Sequence, residues 1–442
     1  MTITGANIGS ELIETPDNIS MRNKSVLFIL LGVIIAIANS CDDQTTMPTE
    51  LSNVTIVNPK EGATVADSIT VIISAGDLAE VERIDLFIDD DSVYSDFQPP
   101  YSYFWSTHNV SSGQNHTLTA RAVLEDTTYT SPTTTVTVQL ESGFHIISEF
   151  NITGIAVAVL PDAAAKYLFV ASSDDGVGIY DISSLYSPQF IASIATNGKA
   201  VDIELDEDYL FVAEEDNGVT VWDISNPENA QYIDIFDTPG IASKLRLDTQ
   251  NRYLYIIDNS SVQIVAYDSS YHFGNSRNTD LGVGLNDVAV NSGYAHVGGA
   301  DGVRFLEIAN PLNPVPISTV YSTDTPVLGI VSIDSLDFLA KGTTGIDIFS
   351  FSNIFSPQFK AEFNTTGNSK MVAVENVDGY HIIYVADGVN GVGAYRYADN
   401  GSPSITSLSN LEVQGNASDI VYHQGLIFVA DYSRFMILRY EE

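Results

Sequence analysis

The strongest constraint in this chain of 442 residues is a short apolar string that returns seven times. It reads YLFVA at Tyr167–Ala171 and again at Tyr209–Ala213, then YLYII at Tyr253–Ile257 and YAHVG at Tyr294–Gly298. LDFLA at Leu336–Ala340, IIYVA at Ile382–Ala386 and LIFVA at Leu426–Ala430 complete the series. Taken at the fourth residue of each, the intervals are 42, 44, 41, 42, 46 and 44 residues. These strings are rich in aliphatic and aromatic residues, as a strand buried on both faces must be. A second alternating run follows each one, as in GVGIYDIS from Gly176 and GVTVWDIS from Gly218. A third run precedes it, as in AVDIELD from Ala200, and a fourth closes most units, as in PQFIASI from Pro188. Four strands per unit and seven units of this period predict a seven-bladed β-propeller over residues 142–442.

The ends of the repeat region complement one another. The last unit stops at Tyr440 after three strands, while an orphan strand, FHIISEF at Phe144–Phe150, precedes the first unit with a fourth-strand pattern. Pairing the two closes the ring and removes a sheet edge that would otherwise expose unpaired backbone groups.

Residues 51–141 carry a different rhythm. Runs at Val54–Val57, Ile69–Ser74, Ile84–Asp89, Tyr101–Trp105, His116–Val123 and Thr134–Gln139 alternate with turn residues such as Pro99-Pro100 and Asp89-Asp90-Asp91. This spacing predicts an immunoglobulin-like sandwich, an all-β fold like the propeller after it. The order NP-x-x-GATV, VERIDLFIDD, PPYSYFW and G-x-x-HTLTARA resembles bacterial Ig-like domains, which implies that Tyr101 and Trp105 are core residues and the domain a spacer. Unit two of the repeat, YLFVAEEDNGVTVWDISNPENA from Tyr209 to Ala230, resembles the LVIVD repeat; units three and five match it weakly. That resemblance implies a propeller in an exported or surface protein and assigns no activity.

The first forty residues read as targeting sequence. Arg22 and Lys24 precede an uncharged apolar run from Val26 to Ala38, 13 residues long, too short for a bilayer of about 30 Å but suited to a signal peptide. Met21 is the expected initiator, and 1–20 an over-extended start. The run ends at Ala38-Asn39-Ser40-Cys41, which resembles a bacterial lipobox and implies acylation of Cys41, the sole cysteine. The other reading is an ordinary signal peptide cut nearby. Residues 41–50 form a polar tether, and Asp42-Asp43 after the cysteine resemble a surface-export signal of some bacterial lipoproteins and an inner-membrane retention signal of others. The expected location is the bacterial envelope, on the outer membrane and facing outward.

Composition removes several functions. With 57 acidic and 18 basic residues the net charge is −39, which repels phosphate backbones and argues against nucleic acid as a partner. One cysteine excludes an internal disulfide framework or a cysteine zinc cluster. The seven histidines show no HExxH, no G-x-S-x-G elbow occurs, and GVGLND and GVNGVG sit in turn contexts rather than before helices.

One constellation carries chemistry. Aligned on the repeat, Ala158, Asp202, Lys244, Asp287, Gly329, Met371 and Asp419 open successive innermost strands. Asp202, Asp287 and Asp419 thus stand near the mouth of the central channel. The turns between second and third strands add Asp174, Asp175, Glu214, Glu215, Asp216, Asp301 and Asp387 on the same face. Carboxylate oxygens suit Ca²⁺, and a negative field steers cationic ligands. The other reading is that each acid accepts backbone amides in its own tight turn. The modular order of anchor, spacer and rigid scaffold favours a non-catalytic binding or adhesion protein whose loops meet a protein or glycan. The alternatives are a Ca²⁺-assisted propeller hydrolase or lactonase and a structural component of an envelope assembly.

Overall fold

The computed structural model describes residues 54–442 apart from 67, 108, 109, 111 and 283, so Cys41 and the segments around it lie outside the described residues. The fold is all-β, interrupted among the described residues by one 3-10 turn at Pro227–Asn229. No described helix is long and apolar enough to cross a membrane.

The first domain is a sandwich. A three-stranded sheet of Thr55–Asn58, Ser68–Ser74 and Ser102–Ser106 faces a larger one built from Ala63–Val65, Thr134–Val138, Asn115–Val123, Arg83–Ile88 and Asp91–Asp96. Period-two alternation sends Val71, Trp105, Leu118, Ala120 and Val136 inward to one core, as the sequence pattern predicts. Three short strands escape the sequence reading: Ala63–Val65, Asp91–Asp96 and Thr128–Thr130. The middle one arises because Asp89 and Asp90 both take positive φ (51° and 71°), a two-residue hairpin turn whose twist matches the flanking strands.

Six four-stranded sheets follow, each with its strands in chain order. Blade two shows the pattern: Asp202–Asp206 innermost, then Tyr209–Ala213, Val219–Asp223 and Gln231–Phe236. Its second strand is buried from Leu210 to Ala213 because the two faces serve different neighbours. Leu210 and Val212 pack with Phe169 and Ile179 of blade one, while Phe211 and Ala213 pack with Leu254 and Ile256 of blade three. Units three and five, whose sequences match the repeat weakly, form complete blades of the same order.

The seventh sheet is assembled from both ends of the chain. Leu426–Glu441 pairs through its first part with Ala417–His423 and through its second with Gly143–Ala156. It folds back midway. Leu426, Phe428, Phe435 and Ile437 share one buried cluster, whereas an extended strand rising about 3.3 Å per residue would place them far apart. The orphan strand is therefore the fourth strand of blade seven, with Phe144 opposite Tyr440 and Phe150 opposite Phe435. Blade seven then packs on blade one, since Val159, Leu168 and Val170 belong to the cluster that holds Phe428 and Ile437.

The turns between second and third strands set the loop face. Gly218 has φ +78°, and a Cβ there would stand 2.2 Å from the Phe236 oxygen, so only glycine lets the turn close against the end of the outermost strand. Left-handed residues in these turns latch onto the next blade: Ser173 exchanges two backbone hydrogen bonds with Ala200, Gly342 with Ser369, and Gly388 with Ala417. At the rim, the outermost strand of blade two carries a bulge at the step from Val221 to Trp222, and those of blades one and five repeat it. Such bulges discourage edge-to-edge association.

Candidate functional site

The sequence alignment of innermost strands is reproduced residue for residue. Ala158 pairs with Ala171, Asp202 with Ala213, Lys244 with Ile257, Asp287 with Gly298, Gly329 with Ala340, Met371 with Ala386 and Asp419 with Ala430. Because an antiparallel partner ends where its neighbour starts, these residues lie at the end of the blade that carries the turns after the second strands. The channel acids and the turn acids therefore share one face.

The three channel aspartates do the same thing. Asp202 Oδ2 accepts the Leu245 N–H of blade three at 2.7 Å. Asp287 Oδ2 accepts the Ile330 N–H of blade five at 2.9 Å. Asp419 Oδ2 accepts the Val159 N–H of blade one, across the ring seam, at 3.0 Å. An innermost strand is a sheet edge whose outward N–H groups lack a strand partner, and a carboxylate from the preceding blade supplies one. The acids thus bind backbone amides, as one sequence reading holds, and those amides include ones of the next blade as well as the local Val288 N–H, which Asp287 Oδ1 accepts at 2.8 Å.

Two cations complete the channel lining. Lys244 Nζ lies 3.0 Å from Asp202 Oδ1, and Arg246 Nη1 lies 2.8 Å from Glu204 Oε1. Arg246 Nε also donates to the Val288 carbonyl of blade four at 3.3 Å. Burial opposes the Lys244 charge, yet Asp202, Asp419 and Asp287 together raise its pKa above the usual lysine value. Burial pushes the Glu204 carboxyl up to about 7 despite Arg246, and raises Asp287 and Asp419 as well. The cavity these groups leave is about 70 Å³, lined by Asp202, Glu204, Lys244, Arg246, Met371 and Asp419 among others. Among the described residues no three Asp, Glu, His or Cys side chains gather as a group that could hold a metal ion. Ion pairs and interblade amides already engage the channel oxygens.

The turn acids divide by burial. Glu214 is fully buried and accepts the Asn197 and Gly198 amides at 3.0 and 3.2 Å, the Asn217 side chain at 2.7 Å and the Thr220 hydroxyl. Asp387 is buried likewise, accepts the Thr365 hydroxyl at 2.6 Å, and has its carboxyl raised to about 6 by burial. Both tie the loop arriving from the preceding blade to the blade it enters. Asp258 and Asp431, which the sequence reading passed over, occupy the same repeat position and are also buried. There Gly240 and Gly415 come so near that a Cβ would stand 2.1 and 2.0 Å from the two carboxylates. A signal was present: an acid directly after the second strand, about twenty residues beyond a glycine in the preceding loop.

Asp174, Asp175 and Asp216 are exposed and Glu215 partly so. Asp174, Glu214, Glu215 and Asp216 line a cavity of about 430 Å³ between the loops of blades one and two, with Lys199 on its wall. Asp301 stands apart, held by both guanidinium nitrogens of Arg304, which lower its pKa. The face is negative, but its acids are spread around the ring rather than focused on one point.

Comparison with known proteins agrees with this architecture. The bacterial Ig domain model matches residues 53–120, and the LVIVD repeat model matches 163–196 and 197–238. No curated protein matches the chain. Among solved structures, "Structure of U3-55K" superposes with a TM-score of 0.53 at 11% identity, covering 67% of this chain and 98% of that one. "Crystal structure of RRP9 WD40 repeats" does so with a TM-score of 0.52 at 11% identity, covering 68% and 98%. At that identity the likeness is one of fold. The chain carries a bacterial Ig domain and LVIVD repeats, built into a sandwich followed by a β-propeller of the kind formed by WD40 repeats.

Proposed function

We propose that this chain is an exported, lipid-anchored protein of the bacterial cell surface whose propeller is a non-catalytic scaffold for a protein or glycan ligand. One observation carries the reading: the acids at the channel mouth are committed to holding the blades together. Asp202, Asp287 and Asp419 each accept an amide of the next blade, and Lys244 and Arg246 pair with Asp202 and Glu204. Metal-assisted or general acid–base hydrolysis needs carboxylates free to reach a metal or a substrate. Here they make a rigid ring that carries loops. Anchoring rests on the sequence around Cys41, with the Ig domain as spacer and the outer membrane as the site. The acidity of the chain sets it against nucleic acid.

The test uses the full chain expressed in a bacterium that acylates lipoproteins. Acyl mass on Cys41, loss of membrane retention in Cys41→Ser, and capture of a surface protein or glycan by the propeller are the expected results. Turnover of ester, lactone or glycoside substrates that disappears on metal removal overturns the scaffold reading.

A further inference from the structure

We propose that the cleft between the sandwich edge and the loop at 182–188 of blade one binds a neutral oligosaccharide. The proposal rests on the scaffold reading above and gives it a ligand class and a place.

The cleft forms where two edge strands of the sandwich, Asp91–Asp96 and Ser102–Ser106, come together and face the loop between the third and fourth strands of blade one. Its volume is about 680 Å³, within the range of about 300–1,000 Å³ typical of small-molecule sites. Tyr103 and Phe104 line it from the sandwich and Tyr186 from the propeller, with Val93 beside them. Phe104 is 65% exposed and Tyr186 37% exposed, although both border the same hollow. Tyr186 Oη donates to the Ser106 carbonyl at 3.3 Å, so the ring is held across the gap rather than packed into it.

The lining chemistry selects the occupant. Aromatic faces accept the C–H face of a pyranose, and the rigid, partly polar rings lose little entropy in doing so. The Asp91 carboxylate and the hydroxyls of Ser106 and Ser184 supply the hydrogen-bonding groups a sugar's hydroxyls need. No lysine or arginine is among the described lining residues, and the chain carries −39, so a phosphorylated or acidic glycan is disfavoured. An internal control exists in blade five. Phe355 occupies the repeat position of Tyr186, in SNIFSPQF against SSLYSPQF, is 66% exposed, and is not among the residues lining the cleft.

The experiment screens the full chain against immobilised neutral and acidic oligosaccharides and against lysine-rich peptides. It then titrates the best neutral ligand into wild type, Phe104→Ala, Phe104→Trp and Phe355→Ala by calorimetry. Expected are binding of a neutral saccharide, a loss of about tenfold in Phe104→Ala, retention in Phe104→Trp, and no change in Phe355→Ala. No saccharide bound, equal binding by Phe104→Ala, or binding of basic peptides alone overturns the cleft assignment. Surface-ligand capture that survives Phe104→Ala sinks the cleft and leaves the scaffold standing, whereas absence of any capture sinks the scaffold itself.

Discussion

Asp202 of blade two accepts the backbone N–H of Leu245 in blade three at 2.7 Å while its other oxygen meets Lys244 Nζ at 3.0 Å. The same amide clasp recurs from Asp287 to Ile330 and from Asp419 to Val159. The last of these spans the seam between blade seven and blade one. Removing a carboxylate leaves a buried N–H without a partner, at about 1–3 kcal/mol. Asp419→Ala is expected to lower unfolding free energy by that amount in urea titrations of the full chain. Asp216→Ala, on the exposed turn, is expected to stay within about 0.5 kcal/mol of wild type. Equal losses in the two variants would show that the clasp contributes nothing.

The channel makes stability depend on pH in an unusual direction. Glu204 has its folded pKa raised from 4.5 to about 7, chiefly by burial, so the folded state holds its proton more tightly than the unfolded chain. The resulting stabilisation is full below about pH 4.5 and is lost as pH rises through about 7. Asp287 and Asp419 are shifted in the same direction. Glu204→Gln cannot ionise, and Arg246 keeps Asp202, Asp287 and Asp419 as counter-charges. The fall in stability between about pH 5 and pH 8 is therefore expected to be smaller in Glu204→Gln than in wild type by about 1–3 kcal/mol. Chemical denaturation at the two pH values measures it, and parallel slopes would refute it.

Gly218 closes the acidic turn of blade two against the end of its own outermost strand, with φ +78° and the Phe236 oxygen 2.2 Å from where a Cβ would stand. Left-handed backbone in a residue with a side chain costs about 1–3 kcal/mol before any clash is counted. Gly218→Ala is expected to destabilise by at least about 2 kcal/mol in thermal or urea unfolding. By contrast, Gly379→Ala at a φ of +89° meets open space, so only the backbone cost applies and the loss should be the smaller of the two. The reverse order would mean that the close approach to Phe236 is not what requires glycine.

The blades were legible in the sequence because a strand buried on both faces leaves no choice of residue. YLFVA therefore recurs wherever a sheet must pack on two neighbours. The closing strand was legible for a related reason, since the last unit lacked one strand and the first had one to spare. Asp91–Asp96 escaped because an edge strand with a solvated face needs no apolar alternation, and DSVYSD looks like the end of a turn. The work of the channel acids escaped because their partners are amides 43 residues away for Asp202 and Asp287 and 260 for Asp419, and backbone donors have no letter in a sequence. Lys244 and Arg246 were visible as residues, but only the curvature of the ring brings them to Asp202 and Glu204.

The closure of the ring yields the sharpest prediction. Phe150 stacks on Phe435 at 5.5 Å between ring centroids and Phe144 meets Tyr440 edge-on at 5.4 Å, so the donated strand adds side-chain contacts to its ladder. Each aromatic pair is worth about 0.5–1.5 kcal/mol beyond its buried area. Without the strand, residues 432–441 present a row of unpaired backbone groups beside exposed aromatics, a template for another chain. A chain beginning at residue 141 retains the strand and the His145 contact to the Glu141 carbonyl. It is expected to run as a folded monomer on size exclusion, with the β-sheet circular dichroism of a propeller. A chain beginning at residue 153 loses most of the ladder and both aromatic pairs, and is expected to self-associate or unfold well below the longer one. If the shorter chain stays monomeric and melts with the longer one, the propeller is held shut by the contact of blade seven with blade one alone, and the strand from Gly143 is dispensable.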